Sequence, residues 1–192
     1  AAQSYFLGKV ANFQLAYRAY PKTFRRIARV QYNIPMELPE AQRIHRTYQK
    51  TYTQVPRYWE RAIERAKQLD YVETLAGRRV QLVGNWSGDK AWSMESTALN
   101  YPIQGTGADQ KYLALKVLKD YLLDVHGLFA WDLHDGIYLY IPDNMVDRVV
   151  DEGKVILDNL PYQEAWGFVP PIPMPWDVKA GKSWGSLKEI TS

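Results

Sequence analysis

The chain has 192 residues, a net charge of +3 and no cysteine. That length can bury a sizeable core, as one domain or two small ones, and the absence of thiols excludes a disulfide scaffold and any thiolate metal site. No apolar run is long enough to cross a bilayer and no signal peptide is visible.

The charge is unevenly spread. Residues 1–36 contain no Asp or Glu but carry Lys9, Arg18, Lys22, Arg25, Arg26 and Arg29. A one-sign block inside helical sequence is an electrostatic footprint for polyanions, phosphates above all. The chain does not begin with Met, so its start is expected to be a processing, trimming or splitting point.

Residues 2–19 have helical spacing and no proline. Lys9, Phe13 and Tyr17 recur every fourth residue and so share one stripe, which suits either a core face or a phosphate contact followed by two stacking rings. Pro21 ends this helix. A short basic helix follows over 22–31 with Phe24, Ile27 and Ala28 inward, and Asn33-Ile34-Pro35 forms a turn. From about Pro39 to Leu69 the spacing predicts one long helix with the stripe Ile44, Tyr48, Tyr52, Val55, Trp59, Ile63 and Ala66. A kink or break is expected at Pro56. His45 lies beside that stripe and reads as a surface residue.

Residues 70–82 read as a hairpin turning at Ala76-Gly77, and 83–93 as a loop. Pro102 marks a helix break or start. The helix after it turns Leu113, Val117, Leu118, Tyr121 and Leu122 inward, and His126-Gly127 closes it with Gly suited to the cap. Asn100 and Gln104 straddle Pro102 with amides able to cap a helix or meet base edges. Residues 143–160 form another amphipathic helix with Val146, Val149, Val150, Val155 and Ile156 inward. The proline-rich stretch 161–178, with Trp166 and Trp176, wraps the surface.

The stretch Ala130–Ile141, AWDLHDGIYLYI, reads as two strands joined at Asp135-Gly136, since a tight primed turn needs a positive φ that Gly supplies cheaply. Ile137, Leu139 and Ile141 share one face, with Tyr138 and Tyr140 on the other. The tip holds His134 and Asp135. A carboxylate on a rigid hairpin suits a metal ion, although Asp also forms turns for conformational reasons alone.

Four signatures in series resemble the C-terminal part of family A DNA polymerases, the bacterial DNA polymerase I type. They are Lys9-x-x-Asn12-Phe13-x-x-x-Tyr17, Tyr71-Val72-Glu73-Thr74-Leu75-x-Gly77-Arg78-Arg79, Asn100-x-Pro102-x-Gln104-Gly105-Thr106-x-Ala108-Asp109, and His134-Asp135 between strands. The closing Gly181-x-x-Trp184-Gly185 resembles the family's last strand and tail.

The resemblance implies an α+β fold, with a helical fingers subdomain over residues 1–93 and the C-terminal part of an antiparallel palm over 94–192. It implies that Lys9 contacts the phosphates of an incoming dNTP, that Phe13 packs near the sugar and disfavours dideoxynucleotides, and that Tyr17 checks the nascent pair. Asn100 and Gln104 would contact the minor groove of primer-template DNA, His134 would lie near the primer terminus, and Asp135 would bind two catalytic Mg²⁺ ions. Lys9 and Asp135 are thus the expected catalytic residues.

The family's second metal-binding Asp lies in a motif upstream of the fingers helix. A complementary polymerase chain carrying it and the thumb is therefore the expected partner, in the cytoplasm of a bacterium or phage-infected host. Without that partner, the piece is expected to extend no primer and to dissolve poorly. Departures from the family pattern are Tyr5, Gln14, Arg18, Ser96 and Gly136, as in a divergent member. A single-subunit RNA polymerase relative and a non-catalytic DNA-binding subunit are the alternatives, with Asn12-Phe13 and Gln104-Gly105-Thr106 favouring the DNA enzyme.

Overall fold

The computed structural model describes residues 2–84, 86–88 and 91–190, with side chains from Tyr5 onward. Asn85, Asp89 and Lys90, inside the expected 83–93 loop, lie outside the described residues. The fold is mixed helix and short antiparallel strands, as expected for α+β, and divides into two compact units. One comprises Ala1–Glu73 with Arg79–Ile103, the other Thr74–Arg78 with Gln104–Ser192.

The first unit opens with α1 (Ala2–Ala16) and α2 (Pro21–Tyr32). Pro21 occupies the first turn of α2, where its missing N–H costs nothing, and Asn33 leaves the helix at φ +50. Val10, Ala11 and Leu15 of α1 meet Phe24 and Ala28 of α2 in a core that Ile34, Met36 and Ala41 complete. Phe24 is fully buried, a contribution of about 2–3 kcal/mol against exposure.

The single helix expected from Pro39 to Leu69 is two: α3 (Leu38–Thr51) and α4 (Gln54–Leu69). The break falls at Tyr52-Thr53, ahead of Pro56. Tyr52 leaves helical geometry at φ −107 and ψ 64. Pro56 then sits in the first turn of α4, where backbone N–H groups have no partner within the helix to lose. Trp59, Ile63 and Ala66 of α4 pack against Val72, Leu82, Ala98 and Leu99 in a second core. Strands β1 (Tyr71–Glu73) and β2 (Arg79–Gln81) pair antiparallel as read, with Val72 opposite Val80. Gly77 takes φ +84 in their turn, a conformation that suits Gly.

Helix α5 (Ala91–Asp124) runs unbroken through Pro102, where a break or start was expected. Proline there costs about 3 kcal/mol and deprives the Ala98 carbonyl of its helical donor. Burial outweighs that cost: Ala98 and Leu99 lie in the core of the first unit, and Leu113, Ala114, Leu118 and Leu122 in the cores of the second.

In the second unit β3 (Leu128–Leu133) and β4 (Gly136–Tyr140) form an antiparallel pair. Their register shifts between Phe129 and Trp131, leaving Ala130 as a bulge. Ile137, Leu139 and Ile141 pack on Leu118 and Leu122 of α5 and on Val125 just after it, as the alternation implied. On the opposite face Tyr138 stacks with Trp131 and Trp184, at ring-centroid distances of 5.7 and 4.4 Å. Leu128, Phe129, Leu133 and Tyr140 remain exposed.

A 3₁₀ turn leads into α6 (Val146–Asp158). Met145, Val149, Ile156 and Leu157 face the core. Val155, expected inward, is 62% exposed, because one residue before Ile156 lies about 100° around the helix from it. Helix α7 (Tyr162–Trp166) begins the proline-rich stretch, which lays Trp166 and Trp176 on Leu113, Ala114 and Leu160. Strands β5 (Lys179–Ala180) and β6 (Lys188–Glu189) close the chain.

Candidate active site

In the first unit, the Lys9–Phe13–Tyr17 stripe faces outward while Val10, Ala11 and Leu15 take the core positions of α1. Lys9 is exposed, Phe13 is 53% exposed and Tyr17 half-buried. The Phe13 and Tyr17 rings meet edge-on, 5.5 Å apart at 77°. Burial pushes the Tyr58 hydroxyl pKa up, and neighbouring Tyr17 adds to the shift. The indole N–H of buried Trp59 donates to the Ala16 carbonyl at 2.7 Å, capping the C-terminal end of α1 directly before Tyr17.

Arg18 takes φ +62, a strained choice for a residue with a Cβ, and its guanidinium donates to Glu95 at 2.8 Å. Lys22, Arg26 and Arg29 are exposed along α2 and Arg25 is half-buried. Among the described residues no carboxylate pairs with these four or with Lys9. Their positive field therefore faces solvent. Asn100, also in this unit, is half-buried, and its Oδ1 is buried with no partner among the described residues. Such an orphan acceptor calls for a partner group.

In the second unit Gln104 is exposed, and so are His134 and Asp135 at the tip of the β3–β4 hairpin. The turn differs by one residue from the reading made on sequence. Leu133 pairs with Gly136, so the two-residue loop is His134-Asp135, and His134 carries the positive φ of +53. Gly136 serves another purpose. A Cβ on it would come within 3.0–3.2 Å of the end of the Tyr138 side chain, which lies close over the strand and would have to give by a few tenths of an ångström. The same exchange occurs at the end of α5. His126 takes φ +51, while a Cβ on Gly127 would meet Ile141 Cδ1 at 2.8 Å and Leu122 Cδ2 at 2.9 Å.

Two side chains that sequence reasoning passed over hold this tip. Lys111 on α5 is 6% exposed, and its ammonium donates to the Asp132 carboxylate and, at 3.0 Å, to the His134 carbonyl. The Lys111 hydrogen bond holds the Asp132 carboxyl below its usual range. The available signal was a lysine three residues before Ala114 and seven before Leu118, at an inward position of an amphipathic helix. A second tie runs from the Thr74–Arg78 turn to α5. Arg78 donates to Asp109 at 2.7 Å and to the Gly105 carbonyl at 3.1 Å, and the Leu75 N–H donates to Thr106 at 2.9 Å.

Among the described residues no three His, Asp or Glu side chains gather to hold a metal. Asp135 offers one exposed hard-oxygen donor. That fits a share of a Mg²⁺ site, since Mg²⁺ commonly takes one or two protein carboxylates and completes its shell with phosphates and water.

Residues 6–186 match the family model for DNA polymerase family A. The chain belongs to that family. All four motif signatures fall within the matched span.

Among the relatives of this family A chain is the DNA polymerase of Bacillus phage SP01, 28% identical over 163 residues, covering 82% of the chain and 18% of the phage protein. The thermostable DNA polymerase I of Thermus thermophilus is 30% identical over 160 residues, with 82% and 18% covered. The DNA polymerase I of Aquifex aeolicus is 30% identical over 170 residues, with 82% and 28% covered. The chain thus spans less than a third of the length of these relatives. The POL domain of Pol1 from M. smegmatis, solved in complex with DNA primer-template and dNTP, shares the fold at a TM-score of 0.68 and 21% identity. That match covers 79% of the chain and 26% of the Pol1 chain.

Proposed function

We propose that this family A chain supplies the nucleotide-gripping and primer-end parts of a template-directed DNA polymerase that adds dNTPs to a primer 3′-hydroxyl. In this reading residues 1–93 are the fingers and 94–192 the C-terminal part of the palm. Lys9 holds the nucleotide phosphates and stabilises the charge that develops on them. Phe13 packs on the sugar, and Tyr17 checks the nascent pair. Asn100 and Gln104 meet minor-groove acceptors, which look alike in A·T and T·A pairs and so test geometry without reading sequence. His134 steadies the primer end.

The observation that carries the reading is an exposed carboxylate, Asp135, on a two-residue turn whose backbone is tied to a buried ammonium. A bound Mg²⁺ pair would activate the primer hydroxyl and neutralise the departing pyrophosphate. Asp135 gives that pair one ligand, and the second catalytic carboxylate comes from polypeptide outside these 192 residues. The chain by itself therefore extends no primer.

The test compares Asp135→Asn with wild type in the polymerase that contains this chain. Primer extension should fall at least a hundredfold while primer-template binding persists. Unchanged extension would leave a DNA-binding subunit, and preference for ribonucleotides would make it an RNA polymerase. Extension by the purified 192 residues would remove the need for an outside carboxylate.

A further inference from the structure

We propose that Lys111 is the positioning residue of the Asp135 turn. The proposal deepens the reading of Asp135 as a metal-binding carboxylate and rests on it for its kinetic arm.

A lysine ammonium that is 6% exposed has almost no water to solvate it, so its protein acceptors must. Here there are two, the Asp132 carboxylate and the His134 carbonyl. The hairpin loop is only His134-Asp135, and His134 sits at φ +53, where a residue with a Cβ is not at rest. A donor on the His134 carbonyl fixes the peptide plane between His134 and Asp135. Fixing that plane sets the Cα–Cβ direction of Asp135 and hence where its carboxylate points. The donor comes from α5, whose adjacent Leu113 and Ala114 are buried, so the clamp is anchored in the core.

Asp132 has a second role. An unpaired ammonium behind the turn would repel a divalent cation at Asp135. The Asp132 carboxylate cancels that charge, so the clamp orients Asp135 without weakening it as a ligand. The pair also keeps Asp132, three residues from Asp135, from offering a competing cation site.

The polymerase containing this chain is prepared as Lys111→Met, Lys111→Gln and Asp132→Asn. Three quantities are read: deuterium uptake of the peptide spanning 128–140, the Mg²⁺ concentration giving half-maximal extension, and primer-template affinity. Lys111→Met fills the same volume without a donor. It should speed exchange at the tip and raise the Mg²⁺ half-saturation about tenfold, as loss of a ligand's outer partner typically does. Exchange in α5 and DNA affinity should be unchanged. Lys111→Gln, which keeps a donor for the His134 carbonyl, should recover most of the tip protection. Asp132→Asn should raise the Mg²⁺ requirement with the tip still protected.

Unchanged tip exchange in Lys111→Met overturns the proposal. So does faster exchange throughout α5 with lost DNA affinity, which would make Lys111 a fold-stabilising residue only. If wild-type protein proves not to be a polymerase, the Mg²⁺ arm falls with that reading and tip exchange alone decides whether Lys111 holds the turn.

Discussion

Replacing Trp59 by Phe tests how α1 is held in the orientation its outward stripe needs. Trp59 is 4% exposed and donates to the Ala16 carbonyl at 2.7 Å. Losing that bond costs about 1 kcal/mol net. The smaller ring also leaves a gap on Ile63 and Ala66, for about 1–2 kcal/mol more. Together these give about 2–3 kcal/mol, so native-state hydrogen exchange of the α1 amides should quicken roughly 30- to 150-fold. Ile63→Val is the control, since it thins the same core for about 1 kcal/mol and breaks no hydrogen bond. Tyr17 follows the capped carbonyl, so a frayed α1 end should also raise the dNTP KM. If Trp59→Phe lands within about 0.5 kcal/mol of Ile63→Val, the indole is filler and the cap contributes nothing.

In the polymerase that contains this chain, Lys9→Ala should lower kcat/KM for dNTPs roughly tenfold to a hundredfold if the proposed phosphate contact is made, and steady-state extension kinetics read this directly. Gly127→Ala should destabilise the second unit by about 1–3 kcal/mol, because its new methyl meets Ile141 and Leu122 inside a packed core; urea unfolding measures it. Burial lowers the His45 imidazole below its ordinary 6.5, so on acidification the unfolded chain takes up a proton first. The stability this site contributes is whole above pH 6.5 and declines below it until the folded imidazole is protonated too. The urea midpoint should therefore fall between pH 7.5 and 5.5, and fall less in His45→Gln.

Short-range signals account for what was legible in the residues alone. Apolar spacing located α1, α2 and the inward face of α5, and the Ala76-Gly77 turn placed β1 and β2. The alternation after Gly136 correctly divided Ile137, Leu139 and Ile141 from Tyr138 and Tyr140. The series of motifs pointed to family A. The elements depend on neighbours within a few residues, and the family resemblance on the order of short motifs along the chain, so the linear sequence carries both.

Packing between distant segments settled the rest. Whether the Lys9 stripe was core or surface depended on α2 burying Val10, Ala11 and Leu15 instead. The break expected at Pro56 moved ahead to Tyr52-Thr53, and the passage of α5 through Pro102 was decided by burial that outweighs a proline's local cost. A bulge at Ala130 and the pairing of Leu133 with Gly136 moved the tip turn onto His134-Asp135, so a histidine took the positive φ a glycine was expected to take. Lys111 and Asp132 stand 21 residues apart, and no local pattern joins them. Only the folding of the β3–β4 hairpin onto α5 brings that ammonium under the His134 carbonyl.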